Sequence, residues 1–245
     1  MIFLPNDSWE IKPTSKKGRG LFAKQNILPG SVIGDYLGVV LDPLTSDLKE
    51  KDQGLYLMYY HDKALIYPPD LSSPGVHLIN HSCMPNSALF TFHGHSLFFT
   101  LRHIYPGEEI TISYQLAPEG SCKPCTHQCF CNTLFCTGSM HLTNERFKTW
   151  NTFSELQSKQ TRRAAIRYGK VLPLLKQYPG GILDNPAYSL YGSLQETEMI
   201  LPDKKIPAIS QLRKIIRQTG KIVLLPSLKL KVFGVQDNAL ISQKV

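Results

Sequence analysis

No run of about 18 consecutive apolar residues occurs in the chain, so nothing in it reads as a membrane-spanning helix. The opening Met1-Ile2-Phe3-Leu4-Pro5 is short and has no basic leader, so the expectation is a chain without a secretory signal. Repeats and low-complexity tracts are missing too. Cysteine is scarce outside one place: of six, five fall between Cys122 and Cys136, and only Cys83 stands apart. In a chain read as leaderless, that clustering favours zinc over a disulfide framework.

Charge is present but unevenly shared. Residues 1–140 hold 10 Lys and Arg against 12 Asp and Glu, and residues 141–245 hold 17 against 7. The front balance suits a basic peptide substrate. The back balance suits nucleic acid or an anionic surface, or simply keeps a helical region solvated. At 245 residues the chain is long enough for one good core, or for one core and a smaller appendage.

The front half reads as strands and turns. Ser8 to Ala23 is a hairpin around the basic turn Lys16-Lys17-Gly18-Arg19-Gly20. Pro29-Gly30 turns into a strand from Ser31 to Val40. Leu41 to Gln53 is a polar loop, and Tyr56 to Tyr67 is aromatic-rich, with Tyr56, Tyr59, Tyr60, His61 and Tyr67. Leu89 to Arg102 is a second hairpin with His93-Gly94-His95 at its turn. Those two histidines have metal-like spacing but no cysteine or carboxylate beside them, so a hairpin tip is the simpler account. Beyond Met140 the spacing predicts helices over Asn144 to Tyr168 and Ile209 to Thr219, and a short hairpin from Ile222 to Val235.

One polar stretch stands between apolar neighbours: Leu78-Ile79-Asn80-His81-Ser82-Cys83-Met84-Pro85-Asn86. Polar groups placed there need specific partners. Asn80 and His81 offer donors and acceptors, and Cys83 offers a thiolate. Downstream come Gly107-Glu108-Glu109-Ile110-Thr111-Ile112-Ser113-Tyr114 and then Cys129-x-Cys131-x4-Cys136. Upstream lies Lys17-Gly18-Arg19-Gly20-Leu21-Phe22-Ala23.

In this order the four segments resemble the SET-domain protein lysine methyltransferases with a post-SET zinc motif. The likeness runs from about Trp9 to Met140. It implies a mainly β fold of small curved sheets with a threaded, pseudoknot-like C-terminal segment. A zinc-bound post-SET loop and a mostly helical extension would follow. The implied boundaries are 8–115 for the SET domain, 116–141 for the post-SET segment and 142–245 for the extension. The compact organisation is similar to small bacterial, chlamydial-type members, some of which act on chromatin. Their likeness implies a cytoplasmic chain, or one in a nucleus if it is a secreted effector.

The resemblance also implies chemistry: methyl transfer from S-adenosylmethionine to a lysine ε-amine, with histone or histone-like tails as the default substrate. Tyr114 takes the main catalytic position, and Tyr36, within Asp35-Tyr36-Leu37-Gly38, lines the lysine channel. Lys17, Gly18, Arg19, Gly20, Asn80, His81 and Tyr114 take the cofactor-binding positions, with Phe135 or Met140 against the adenine. Ile112 stands where many members have an aromatic residue, and the smaller side chain leaves room for di- or trimethylation. Cys83, Cys129, Cys131 and Cys136 take the zinc positions, with Asn132 and Thr137 departing from the usual Gly and Arg.

A rival set, Cys122, Cys125, Cys129 and Cys131, with His127 as a further candidate, would make a self-contained zinc site. Two other functions compete with the enzyme. One is a zinc-stapled module that binds chromatin or nucleic acid through basic residues 142–245. The other is an inactive SET scaffold, against which the presence of Tyr36, Asn80, His81 and Tyr114 argues. A nucleophilic Cys83–His81 pair lacks a third orienting group.

Overall fold

Strand His95–Thr100 is buried along its whole length. Its run Leu97-Phe98-Phe99 has no polar alternation because both of its faces are covered. Phe98 packs with Leu21, Ile33, Tyr36, Ile79 and Ile110, whereas Leu97 and Phe99 pack with Val32, Phe90 and Leu101. These observations come from a computed structural model. It describes residues 1–41, 56–59, 65–118, 125–133, 136–148, 151, 171, 172, 174–182, 198–200, 222–225 and 230–232.

Strands β1 (Trp9–Pro13) and β2 (Arg19–Ala23) form the predicted hairpin. Thr14 closes its turn: its N–H donates to Gly18 O at 2.6 Å and its Oγ1 accepts from Lys17 N at 2.9 Å. Gly18 takes φ +70°, a conformation that strains most side chains. Strand β3 (Val32–Asp35) joins β8 (Ser87–Phe92) and β9 (His95–Thr100) in a sheet of order β3-β9-β8. Strands β4 (Val39–Leu41), β5 (Met58–Tyr59) and β6 (Leu65–Tyr67) form another, of order β4-β6-β5. Residues 42–55 and 60–64, with the polar loop, Tyr60 and His61, lie outside the described residues.

Strands β7 (Asn80–His81) and β10 (Thr111–Ile112) pair in parallel, Thr111 opposite Asn80 and Ile112 opposite His81. Parallel neighbours need a crossover, and the β8–β9 hairpin lies in the chain between them. Residues 107–112 thereby run between two partners. On one side Ile110 N donates to Leu21 O at 2.7 Å and Ala23 N donates to Glu108 O at 2.9 Å. On the other, Ser82 N donates to Ile112 O at 2.8 Å and Thr111 N donates to Asn86 Oδ1 at 2.8 Å. This is the threaded core of the fold, and it sets Asn80 and His81 against the residues just before Tyr114.

His95 is in strand β9 rather than in the turn, which His93 and Gly94 make with φ of 46° and 83°. Its Nδ1 lies 2.6 Å from Asp35 Oδ2, and Tyr178 Oη donates to that same oxygen at 3.0 Å. Asp35 and His95 are 0% and 2% exposed. No metal pair with His93 forms; the imidazole is a buried partner of a carboxylate. Asp35→Ala removes the partner of buried His95 and half-buried Tyr178 and should cost about 3 kcal/mol of stability, read as a shift in the urea midpoint.

The chain after residue 142 returns to this core. Residues 144–148 are helical, with Arg146 N donating to Thr143 Oγ1 at 3.3 Å at their start. Leu172 N donates to Gly38 O at 3.1 Å and its side chain is buried in the first cluster; Ile182 N donates to Gly30 O at 2.7 Å. Strands β11 (Glu198–Ile200), β12 (Ile222–Leu225) and β13 (Leu230–Val232) form one sheet, the last two being the hairpin expected from Ile222. The remainder of the expected helices lies outside the described residues.

Candidate active site and metal centre

Tyr114 leaves the threaded segment and is held by the polar stretch. Its backbone N–H donates to His81 Nδ1 at 3.1 Å, and its hydroxyl donates to Ile79 O at 3.3 Å. The two rings meet edge-on at 5.4 Å. Burial pushes the His81 pKa down to about 4, so the ring is neutral near pH 7. Since Nδ1 accepts, its proton sits on Nε2, which faces Cys83 Sγ at 3.7 Å. Tyr114 packs against the first cluster, and loss of hydration on burial raises its phenol pKa, with Tyr56 and Glu109 adding to the effect. Tyr114 therefore stays protonated at neutral pH and acts as a hydrogen-bonding group, not a tyrosinate base.

Beside it lies a chain of polar contacts. Asn80 Nδ2 donates to Arg19 O at 3.0 Å and to Glu109 Oε1 at 2.8 Å. Lys17 Nζ bonds the other oxygen of Glu109. Both Asn80 Nδ2 hydrogens are committed, so what Asn80 can offer a ligand is Oδ1, an acceptor. Arg19 turns its guanidinium to carbonyls, Leu71 O at 2.6 Å and Ser72 O at 3.2 Å, which hold it without cancelling its charge. Gly20 is locked among these groups. A Cβ there would stand 2.7 Å from Glu109 Oε1 and 3.0 Å from Asn80 Nδ2. Above Gly18 there is open space. Lys17, Gly18, Arg19, Gly20, Asn80, His81 and Tyr114 are thus drawn together by three segments far apart in sequence.

Tyr36 is 5% exposed, in the first cluster with Phe98 and Ile79, and its hydroxyl donates to Tyr56 O at 2.6 Å. Tyr56 also contributes to the raised pKa of Tyr114, after burial. Ile112 is also in that cluster. Phe135 lies outside the described residues, whereas Met140 is half-buried and its N–H donates to His127 O at 2.8 Å. Phe130 is an aromatic residue that motif reading passed over; the Lys16 ammonium stands 5.0 Å from its ring centre, joining the hairpin turn to the cysteine loop.

Cys83, Cys129, Cys131 and Cys136 converge: their sulfurs all lie within 4.8 Å of one another. Cys83 and Cys129 Sγ are 3.7 Å apart. A tetrahedron of zinc–thiolate bonds has sulfurs about 3.8 Å apart, so the cluster has the dimensions a zinc ion needs. The Cys131 thiol is held well below the usual thiol range, because Cys129 and Cys83 donate to its sulfur. Asn132 takes φ 54°, which asparagine tolerates. Thr137 sets Oγ1 3.5 Å from Cys83 Sγ. Arg146 donates to Cys83 O at 2.9 Å, closing the back of the cluster. The rival grouping of Cys129 and Cys131 with Cys125 is not what forms: Cys125 turns to His127 and His141, and Cys122 lies outside the described residues.

Glu109 and Arg146 are the residues sequence reading missed. The adjacent Glu108 takes a structural part, bound by Arg102 at 2.8 and 2.9 Å and by Tyr105 N at 2.6 Å.

Comparison with known proteins meets this geometry at the same segments. The SET domain family matches residues 18–115. Histone-lysine N-methyltransferase Set2 of Drosophila melanogaster is 34% identical over 137 residues, which is 51% of this chain and 6% of that protein. Histone-lysine N-methyltransferase 2B of Homo sapiens is 34% identical over 136 residues, 47% of this chain and 5% of that protein. Histone H3-lysine(4) N-trimethyltransferase ATX1 of Arabidopsis thaliana is 33% identical over 122 residues, 44% of this chain and 11% of that protein. The chain spans only a small fraction of each relative. The matched residues carry Gly18 to Gly20, the threaded crossing and Tyr114; residues 18–115 are thus similar to a SET domain, and the relatives matched are histone-lysine methyltransferases.

Proposed function

We propose that the chain is a protein-lysine N-methyltransferase that uses S-adenosylmethionine and acts on basic protein tails, histones first. The observation that carries this is Tyr114. Its phenol is kept neutral and pinned to Ile79 O, one residue before the Asn80–Glu109–Lys17 chain begins.

When bound, S-adenosylmethionine supplies an activated methyl group on a cationic sulfur. Asn80 Oδ1 and the Glu109 carboxylate suit its amino group, and the Lys17 and Arg19 cations suit its carboxylate. Gly18 and Gly20 let the backbone approach, His81 holds the wall, and Phe135 or Met140 would cover the adenine. The lysine must arrive as a free amine, because an ammonium has no lone pair. Tyr36, Tyr56 and Tyr114 form apolar surroundings that disfavour the ammonium by desolvation. Tyr114 Oη then orients the amine, and fixing nucleophile and donor together supplies much of the rate.

Zinc at Cys83, Cys129, Cys131 and Cys136 is structural in this reading. It staples residues 129–136 to the stretch that carries His81. The relatives are histone-lysine methyltransferases by name, and the slightly acidic balance of residues 1–140 suits a basic tail. A chromatin location and a nucleic-acid contact through the basic residues 142–245 fit the 17 Lys and Arg against 7 Asp and Glu after residue 140. That asymmetry also supports the second reading, a zinc-stapled chromatin-binding module, which needs no cofactor.

Calorimetric titration with S-adenosylmethionine separates the two readings. The enzyme reading expects saturable one-site binding, weakened about tenfold or more in Gly20→Ala, whose Cβ displaces the Asn80–Glu109 contact. A folded chain that takes up no S-adenosylmethionine would leave the binding module. Ile112→Phe fills space near Tyr114 and should shift the products from di- and trimethyl-lysine to monomethyl-lysine, counted by peptide mass spectrometry.

A further inference from the structure

The tetrathiolate cluster leaves Cys125 unused. That residue is free and exposed, and it faces two imidazoles. Its Sγ lies 3.3 Å from His141 Nε2 and 3.8 Å from His127 Nδ1, and all three atoms lie within 4.8 Å of one another. We propose that Cys125, His127 and His141 hold a second zinc ion, distinct from the one the four clustered cysteines would bind.

Three observations carry the assignment. The first is dimension. Neighbouring ligand atoms in a tetrahedral zinc site of mixed sulfur and nitrogen stand roughly 3.4 to 3.8 Å apart, and the cysteine's two contacts bracket that range. The second is the tautomer of His141. Its Nδ1 bonds Ala117 O, and a carbonyl only accepts, so Nδ1 carries the proton. Nε2, the atom turned to Cys125, is left with its lone pair. Metal-bound histidines are commonly fixed in this way by a backbone carbonyl on the far nitrogen. The third is the donor set. One thiolate and two imidazoles suit zinc, whereas calcium and magnesium want oxygen ligands. A simple S–H···N hydrogen bond would explain one of the two imidazoles but not both.

The ligands hang from backbone already joined. Leu116 bridges His141 in parallel, Leu142 N donates to Leu116 O at 2.9 Å, and Met140 N donates to His127 O at 2.8 Å. An ion here ties the chain leaving Tyr114 to both ends of the cysteine loop. The partly exposed ligands leave a way in from solvent and a fourth position for water or a further donor.

Native mass spectrometry of the full chain, prepared with zinc, gives the test. Two zinc ions per chain are expected, falling to one in His127→Ala/His141→Ala. Cys131→Ser should lose the other ion, so failure of the tetrathiolate and failure of this site read differently. Zinc K-edge absorption on the unmodified chain needs no variant: two filled sites average about 2.5 sulfurs per zinc, and the tetrathiolate alone gives about four. A single, all-sulfur zinc in the wild type overturns the proposal. So does a double histidine variant that still holds two ions.

Discussion

Tyr114→Phe should lower methyl transfer from labelled S-adenosylmethionine to mixed core histones by about a hundredfold, while the chain stays folded and zinc-loaded. The substitution removes one atom. The backbone N–H to His81 Nδ1 contact at 3.1 Å survives, because it does not involve the side chain, and so does the edge-on ring contact at 5.4 Å. What is lost is the hydroxyl bond to Ile79 O, worth about 1 kcal/mol to stability. Cofactor affinity should change little, since Asn80, Glu109 and Lys17 are untouched. A large loss of rate beside a small loss of binding identifies a group that acts on the reacting amine.

Removing zinc should be as damaging by another route. A chelator, or Cys83→Ser, would break the link that zinc at the four clustered cysteines makes between the SET segment and residues 129–136. Structural zinc contributes folding free energy directly, so the melting temperature should fall by roughly 10 °C or more. Activity should fall with it by at least about tenfold, because Cys83 Sγ stands 3.7 Å from the ring that receives the Tyr114 N–H. Zinc added back to the chelated wild type should restore both, and magnesium or calcium should not. Activity and melting temperature unchanged after zinc is verifiably gone would contradict a structural role for it.

The sequence showed the site where its parts are contiguous. The hairpin turn, the Asn80-His81 pair, Cys83 and Tyr114 were all legible as short motifs, and the structure draws them into one place. Pairings across long separations were not legible. Glu108 and Glu109 look alike on paper. In an extended segment neighbouring side chains point to opposite sides, so one meets Arg102 and the other meets Asn80. His95 looked like a hairpin tip because its partner, Asp35, is 60 residues away. The packing of Leu172 and Tyr178 on strands from the first quarter of the chain leaves no periodic trace either. Cys125 and His127 were read only as candidates for a rival zinc set with Cys129 and Cys131. Spacing could not show that His141 joins them, because it does so only through the bridge at Leu116.

The most direct test of the whole account is tandem mass spectrometry of histone substrate after incubation with the zinc-loaded chain and S-adenosylmethionine. Methyl groups are expected on lysine ε-amines with the wild type, and about a hundredfold fewer with Tyr114→Phe. A folded, zinc-loaded chain that neither binds S-adenosylmethionine nor methylates any lysine would contradict it.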